Sequence, residues 1–216
     1  MNNWKTHKHG KTKVLVVPAQ DPEIHAPPTK DSFEEWITHR GFFLPRDIAE
    51  GDANFRQIIP YCVLYKDSGE VFVYDRGTTG GEQRLSNLSS IGVGGHIEPR
   101  DAPTDPEYFY DVIASGIDRE LVEEVGLLPS IKSIEILYKL LIVLSLSDVD
   151  RVHMGLIVLV KMDKNNLNKL DAKKTKDLNG RFVKFEDLLT LNLESWSTHT
   201  IGLIRALIED GEFKWK

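Results

Sequence analysis

The chain has 216 residues, of which 41% are hydrophobic and 28% charged, and a formal net charge of −6. That length can bury a full core in one unit, and the composition is that of an ordinary folded domain. It argues against a basic nucleic-acid groove, excludes an internal disulfide because Cys62 is the single cysteine, and contains no apolar run of membrane-spanning length. The apolar run Val14-Leu15-Val16-Val17 is too short for a secretory h-region, so a reducing cytoplasm is the expected compartment.

In chain order, Lys13 to Val17 reads as a first strand, and a proline-rich turn follows from Pro22 to Pro28. Asp31-Ser32-Phe33-Glu34 has the form of a capping box, opening a helix that ends near Gly41. Strand runs from Arg56 to Tyr65 and from Val71 to Tyr74 flank the turn Lys66 to Glu70, a hairpin pattern. A Gly- and Thr-rich loop, Gly77 to Gly81, leads to a strand from Leu88 to Val93 that feeds directly into Gly94-Gly95. A long helix comes next. Two apolar β-rich runs then follow, Ile134 to Leu146 and Val152 to Val160, separated by Ser147-Asp148-Val149-Asp150. The Lys- and Asn-rich run Lys161 to Lys176 lacks aromatic residues and reads as a solvated loop. Arg181 to Phe185 forms a last strand, and Trp196 to Ile208 has helical spacing ending at Gly211. This order predicts an α/β protein, more closely α+β with a mixed sheet, with helices on both faces of the sheet. Residues 1–50 read as an N-terminal extension, a strand plus a helix packed on the core, and residues 51–216 as the main domain.

The chemistry is concentrated in Gly94-Gly95-His96-Ile97-Glu98 and in Arg119-Glu120-Leu121-Val122-Glu123-Glu124-Val125-Gly126-Leu127. At about 100° per residue, Glu120, Glu123 and Glu124 share one helix face, with Ala114, Ile117, Leu121 and Val125 as an apolar stripe beside them. Carboxylates about 6 Å apart repel by on the order of 0.7 kcal/mol per pair in water. A hard divalent cation removes that cost by taking oxygen ligands. Arg119 stands one turn before Glu123 and can orient a carboxylate. Gly126 follows the last periodic residue, where a left-handed C-cap needs a residue without Cβ. Thr104-Asp105-Pro106-Glu107 supplies a helix start.

These residues resemble the Nudix hydrolase motif: a glycine, five residues, a glutamate, seven residues, then Arg-Glu-aliphatic-x-Glu-Glu-x-Gly-aliphatic. Arg119 to Leu127 matches at every specified position. Between the halves the chain is ten residues longer than the motif, the excess lying within Pro99 to Tyr110. Counting from Gly95 puts Asp101 at the acidic position, counting back from Arg119 puts Asp111 there, and Arg100 replaces the family's second glycine. The segments Ile58-Ile59-Pro60-Tyr61 and Ser90 to Glu98 are similar to a Nudix subgroup labelled only as predicted phosphoesterases, which names no substrate.

The resemblance implies a Nudix-type α/β/α sandwich and hydrolysis of a small-molecule diphosphate with Mg²⁺ or Mn²⁺ as cofactor. By the same resemblance Glu120, Glu123, Glu124 and the Gly94 carbonyl are metal ligands, and Glu120, Arg119 and Glu123 are catalytic. The base is Glu120 or an acid on a distant loop: Asp148, Asp150, Glu186 or Glu194. His96, Arg84 and Arg76 are candidates to touch substrate phosphate, and the family's habits allow a homodimer. Tyr61 and Trp196 are expected in the core rather than stacked on a base, and Cys62 as an inert buried thiol. Two other functions compete on the same fold. One is a ligand-binding or regulatory protein without turnover. The other is a diphosphate isomerase, which needs a cysteine in a setting unlike that of Cys62.

Overall fold

The computed structural model describes residues 12–20, 29–76, 88–102, 109–129, 131–143 and 146–215. Arg84, the 77–81 loop, the 22–28 turn and the 104–107 helix start lie outside them. The sheet is built on β3 (Phe55–Tyr65) and β8 (His153–Lys161), which run parallel from Gln57 opposite His153 to Tyr65 opposite Lys161. Both are near-continuous apolar runs, as strands covered on both faces must be. Met154, Leu156, Val158 and Val160 of β8 enter one core, and Ile157 and Leu159 enter the other. On the first face pack α1 (Lys30–Arg40), through Phe33, Trp36 and Ile37, and α3 (Phe109–Val125), through Val112, Ile113, Ile117 and Leu121. On the second face pack the 3-10 segment Phe185–Thr190 and α7 (Ser195–Glu209), through Phe185, Leu188, Ile201 and Ile204. The expected helix–sheet–helix sandwich is therefore present.

The other edge of β3 is shared among three strands, and this division positions the site. β1 (Lys13–Pro18) pairs antiparallel at Val16–Gln57, β6 (Gly92–Val93) pairs at Val93–Cys62, and β4 (Glu70–Asp75) joins at Tyr65–Val71. The stretch between β1 and β6 contains Pro60, which has no N–H to give to a ladder. Residues 94 and 95 leave the sheet beside it: a Cβ on Gly94 would lie 1.8 Å from the Pro60 carbonyl oxygen. Beyond that loop Leu15 N–H of β1 donates to the Ile97 carbonyl at 2.9 Å, so the N-terminal strand fixes the far end of the glycine loop. β1 also pairs with β2 (Phe42–Pro45), which leads into α2 (Arg46–Gly51). β7 (Ile134–Ile142) flanks β8, while β5 (Ser89–Ser90) and β9 (Arg181–Lys184) flank β4.

Several elements differ from the sequence reading. The strand expected over residues 88–93 divides at Ile91 into β5 and β6, which serve different partners. The N-cap of α1 is Thr29, whose hydroxyl accepts from Ser32 N–H at 3.3 Å, two residues ahead of the expected capping box. The separator at 147–150 is a capped helix, α4 (Asp148–Val152), with Ser147 Oγ accepting from Asp150 N–H. The largest correction concerns residues 161–176. They hold α5 (Lys164–Leu167) and α6 (Ala172–Asp177), capped by Asp163 and Asp171. This segment closes the C-terminus of α3. Lys174 Nζ donates to the Val122 carbonyl at 3.0 Å and to that of Glu123, and Asp171 N–H donates to Val125 at 3.0 Å. Cations belong at that end of a helix, where carbonyls are unpaired. Gly126 has φ +69°, and a Cβ there would sit 2.4 Å from that of Asp171.

Asp75, at the end of β4, joins three elements: Ser89 Oγ donates to it at 2.8 Å, Arg181 at 3.1 Å, and Asn179 Nδ2 to its second oxygen. Burial raises its carboxyl, but the hydrogen bonds from Ser89, Asn179 and Arg181 outweigh burial and hold it below the usual range. A depressed carboxyl contributes stability that is complete above its unfolded value, about 3.9. That contribution is lost as pH falls through the folded value. Asp75→Asn is therefore expected to melt below the wild type at neutral pH, with the gap closing on acidification below about pH 4. A gap independent of pH in a melting series would contradict this.

Candidate active site on helix α3

Arg119 organises the site. Its Nε donates to Asp101 Oδ1 at 2.7 Å, and its Nη2 to Asp101 Oδ2 at 2.9 Å and to the His96 carbonyl at 2.6 Å. Its Nη1 donates to Glu120 Oε1 at 2.7 Å and Glu123 Oε2 at 3.0 Å. A guanidinium has five N–H groups, and all are used. Burial disfavours the Arg119 charge, but the Asp101 hydrogen bonds and Glu120 outweigh it and raise the pKa further above the ordinary arginine value.

Asp101 is thus the acid that meets Arg119, and the ten extra residues fall after it. It also accepts from Glu98 N–H at 2.8 Å, closing a short 3-10 turn, Pro99–Asp101. Asp111 is exposed in the first turn of α3. The two alignments could not be separated by counting, because both positions hold an aspartate. Burial separates them.

The glycine loop and the helix touch at Gly95, where a Cβ would lie 2.6 Å from Glu120 Oε2. Glu120 is buried, whereas Glu123 and Glu124 are exposed. Burial pushes the Glu120 carboxyl up, Arg119 pulls it down, and Glu123 and Glu124 push it up again, leaving it raised. Glu124 is also raised, by desolvation and Glu123, with Lys174 and Arg76 acting the other way. Arg100 bridges Glu98 Oε2, at 2.8 Å, and Glu123 Oε1, at 3.5 Å. It was noted in the sequence only as a missing glycine. Among the described residues, no three His, Cys, Asp or Glu side chains converge into a preformed metal cage. The donors are nevertheless oxygens crowded enough to repel, as a hard cation requires, with Glu123 held by Arg119 and Arg100 and Glu124 exposed beside it.

The remaining candidates separate clearly. The His96 carbonyl serves Arg119, and its ring lies edge-on to His153 at 5.5 Å. Arg76 stands at the end of β4, 2.9 Å from Glu194. Asp148 is exposed and paired with Arg151, and Glu186 is exposed. Asp150 is buried and accepts from Trp196 Nε1 at 2.8 Å, joining α4 to α7. The buried Tyr61 and the half-buried Trp196 pack edge-on at 5.7 Å. Cys62 is fully buried, and burial pushes its thiol far above the ordinary range, as expected of an inert thiol.

No family model matches the chain. It is 31% identical over 168 residues to Protein YmaB of Bacillus subtilis (strain 168), covering 74% of this chain and 76% of that protein. Among solved structures it is similar to Tm1382, a candidate Nudix hydrolase, with 26% identity and a TM-score of 0.67 over 90% of this chain and 99% of that one. The chain belongs to the Nudix family. A mutT/nudix family protein from Listeria innocua shares the fold at 12% identity and a TM-score of 0.51, over 72% of this chain and 95% of that one. The likeness to Tm1382 supports a Nudix hydrolase at family level. Among its described residues, no helix is long and apolar enough to cross a membrane.

Proposed function

We propose that this Nudix protein hydrolyses the diphosphate linkage of a small molecule, a nucleoside diphosphate derivative or a related diphosphate, using Mg²⁺ or Mn²⁺. The observation that carries the reading is the saturated Arg119, which holds Glu120 and Glu123 on one helix face directly beneath the glycine loop. Glu120, Glu123, Glu124 and the Gly94 carbonyl are the groups we assign to hold the metal. When bound, a divalent cation neutralises phosphate oxygens and lowers the pKa of a bound water. The chain's own contribution is positioning. Arg119 holds Glu120 by Oε1, with both carboxylate oxygens lying against Gly95, and we assign Oε2 to accept the water's proton. Asp101 fixes Arg119 in turn. Arg76 is the residue we assign to meet the substrate's negative charge.

A second reading is favoured by Arg100, which already occupies Glu123: a Nudix fold that binds its ligand without turnover. The two separate on a panel of nucleotide sugars, dinucleotides, nucleoside triphosphates and non-nucleotide diphosphates, each with Mg²⁺, with Mn²⁺ and with chelator. Metal-dependent phosphate or pyrophosphate release is expected from at least one class. Release from none, with ligand affinity retained, would establish the binding protein instead.

A further inference from the structure

Glu194 precedes α7 and is only 3% exposed. One of its oxygens, Oε1, collects three hydroxyls: Ser90 at 2.5 Å, Tyr61 at 2.9 Å and Ser197 at 3.3 Å. Tyr61 and Ser197 also bond each other at 2.8 Å, and Ser197 Oγ accepts from Ile91 N–H at 3.0 Å between β5 and β6. This cluster fastens the second-face helix to the strand that feeds the glycine loop. The other oxygen, Oε2, faces Arg76 Nε at 2.9 Å. Nε is enclosed, and its contact with Oε2 is an ion pair rather than an aligned hydrogen bond, while the side chain remains 27% exposed on other atoms. Arg76 also interacts with Tyr74, whose hydroxyl donates to the Gly92 carbonyl at 3.0 Å, and its charge acts on Glu124.

A carboxylate with hydroxyls on one oxygen and an arginine on the other is badly placed to take a proton from water. It is well placed to fix a cation. We propose that Glu194 is a positioning residue: held rigid by Tyr61, Ser90 and Ser197, it grips Arg76 at Nε and directs the rest of the guanidinium toward the α3 carboxylate site as the clamp for a diphosphate. The inference rests on the assignment of α3 as a diphosphate site, and it removes Glu194 from the candidate bases. A guanidinium gripped on one edge keeps its outer nitrogens for phosphate, which a lysine cannot reproduce.

The test is the affinity of the full chain for imidodiphosphate, a non-hydrolysable diphosphate, measured by calorimetry with Mg²⁺ alongside panel kinetics. Arg76→Ala is expected to weaken binding roughly 10- to 100-fold. Glu194→Gln should weaken it about tenfold, with the kinetic loss in KM and kcat within about threefold. The double variant should bind no worse than Arg76→Ala alone, within about twofold, because Glu194 acts only through Arg76. Tyr61→Phe keeps the Oε2 contact and the Ser90 and Ser197 bonds to Oε1, so it should lower Tm and weaken binding less than Glu194→Gln does. Additive losses, a fall in kcat at constant KM in Glu194→Gln, or a wild type that does not bind the probe would each overturn the proposal. If Glu194→Gln fails to fold, Arg76→Lys decides: it should bind about as poorly as Arg76→Ala, and wild-type affinity would overturn the proposal. A wild type that binds the probe with this pattern but hydrolyses nothing would sink the hydrolase reading and leave the positioning role standing.

Discussion

Replacing Glu123 and Glu124 together by glutamine is expected to abolish metal-dependent turnover while leaving the fold intact. Both side chains are exposed on α3, beside the stripe that buries Ile117, Leu121 and Val125. Glutamine keeps their size and helix propensity. The substitution removes the Glu123 and Glu124 charges that add to burial in pushing Glu120 up, while weakening the exposed pairs of Glu123 with Arg119 and Arg100, so Tm should stay near wild type. Catalysis should instead lose the charge stabilisation that a metal supplies, about 4 kcal/mol or roughly 10³-fold in kcat/KM. Steady-state kinetics on the substrate class found in the panel measures this. A variant retaining more than about a tenth of wild-type activity would remove these two residues from the catalytic set.

Asp101→Ala is expected to be the most damaging single change to stability around the site. It strips Arg119 of its two-pronged partner and Glu98 N–H of its acceptor. Removing one member of a buried ion pair costs about 3–5 kcal/mol, which for a chain of this size lowers Tm by roughly 6–20 °C. With Arg119 no longer held, Glu120 and Glu123 lose their orientation, and activity should fall about 10- to 100-fold beyond any unfolding. Asp111→Ala, at the exposed alternative position, should stay within about 0.5 kcal/mol of wild type. Thermal melts and activities of the two variants, compared side by side, decide the point. The reverse ranking would place the extra residues before the acid rather than after it.

The helix of carboxylates, its glycine stop, the β3–β4 hairpin and the two-faced sandwich were all legible in the sequence. Each follows from a local rule: spacing on a helix face, a residue without Cβ where φ is positive, alternation around a turn. What stayed hidden depends on distant partners. Asp101 and Asp111 are equivalent to any count, and only the approach of residues 96–101 to α3 shows which one Arg119 reaches. The segment 161–176 looks like a solvated loop because its lysines are polar, yet Lys174 finds carbonyl acceptors 51 and 52 residues away at the end of α3. Glu194 stood among the candidate bases as an isolated acid. Its hydroxyl partners Ser90 and Tyr61 lie 104 and 133 residues away, so no local pattern could have revealed them. Arg100 registered only as a departure from a motif, although it spans two carboxylates on the site's rim.

The central claim is that the carboxylates of α3 hold a divalent cation. A Mn²⁺ titration followed by electron paramagnetic resonance, with and without imidodiphosphate, tests it most directly. The account predicts a bound Mn²⁺ signal in the wild type, strengthened by the diphosphate and lost in Glu123→Gln/Glu124→Gln. Equal Mn²⁺ binding by wild type and variant, or none by the wild type even with diphosphate present, would contradict it.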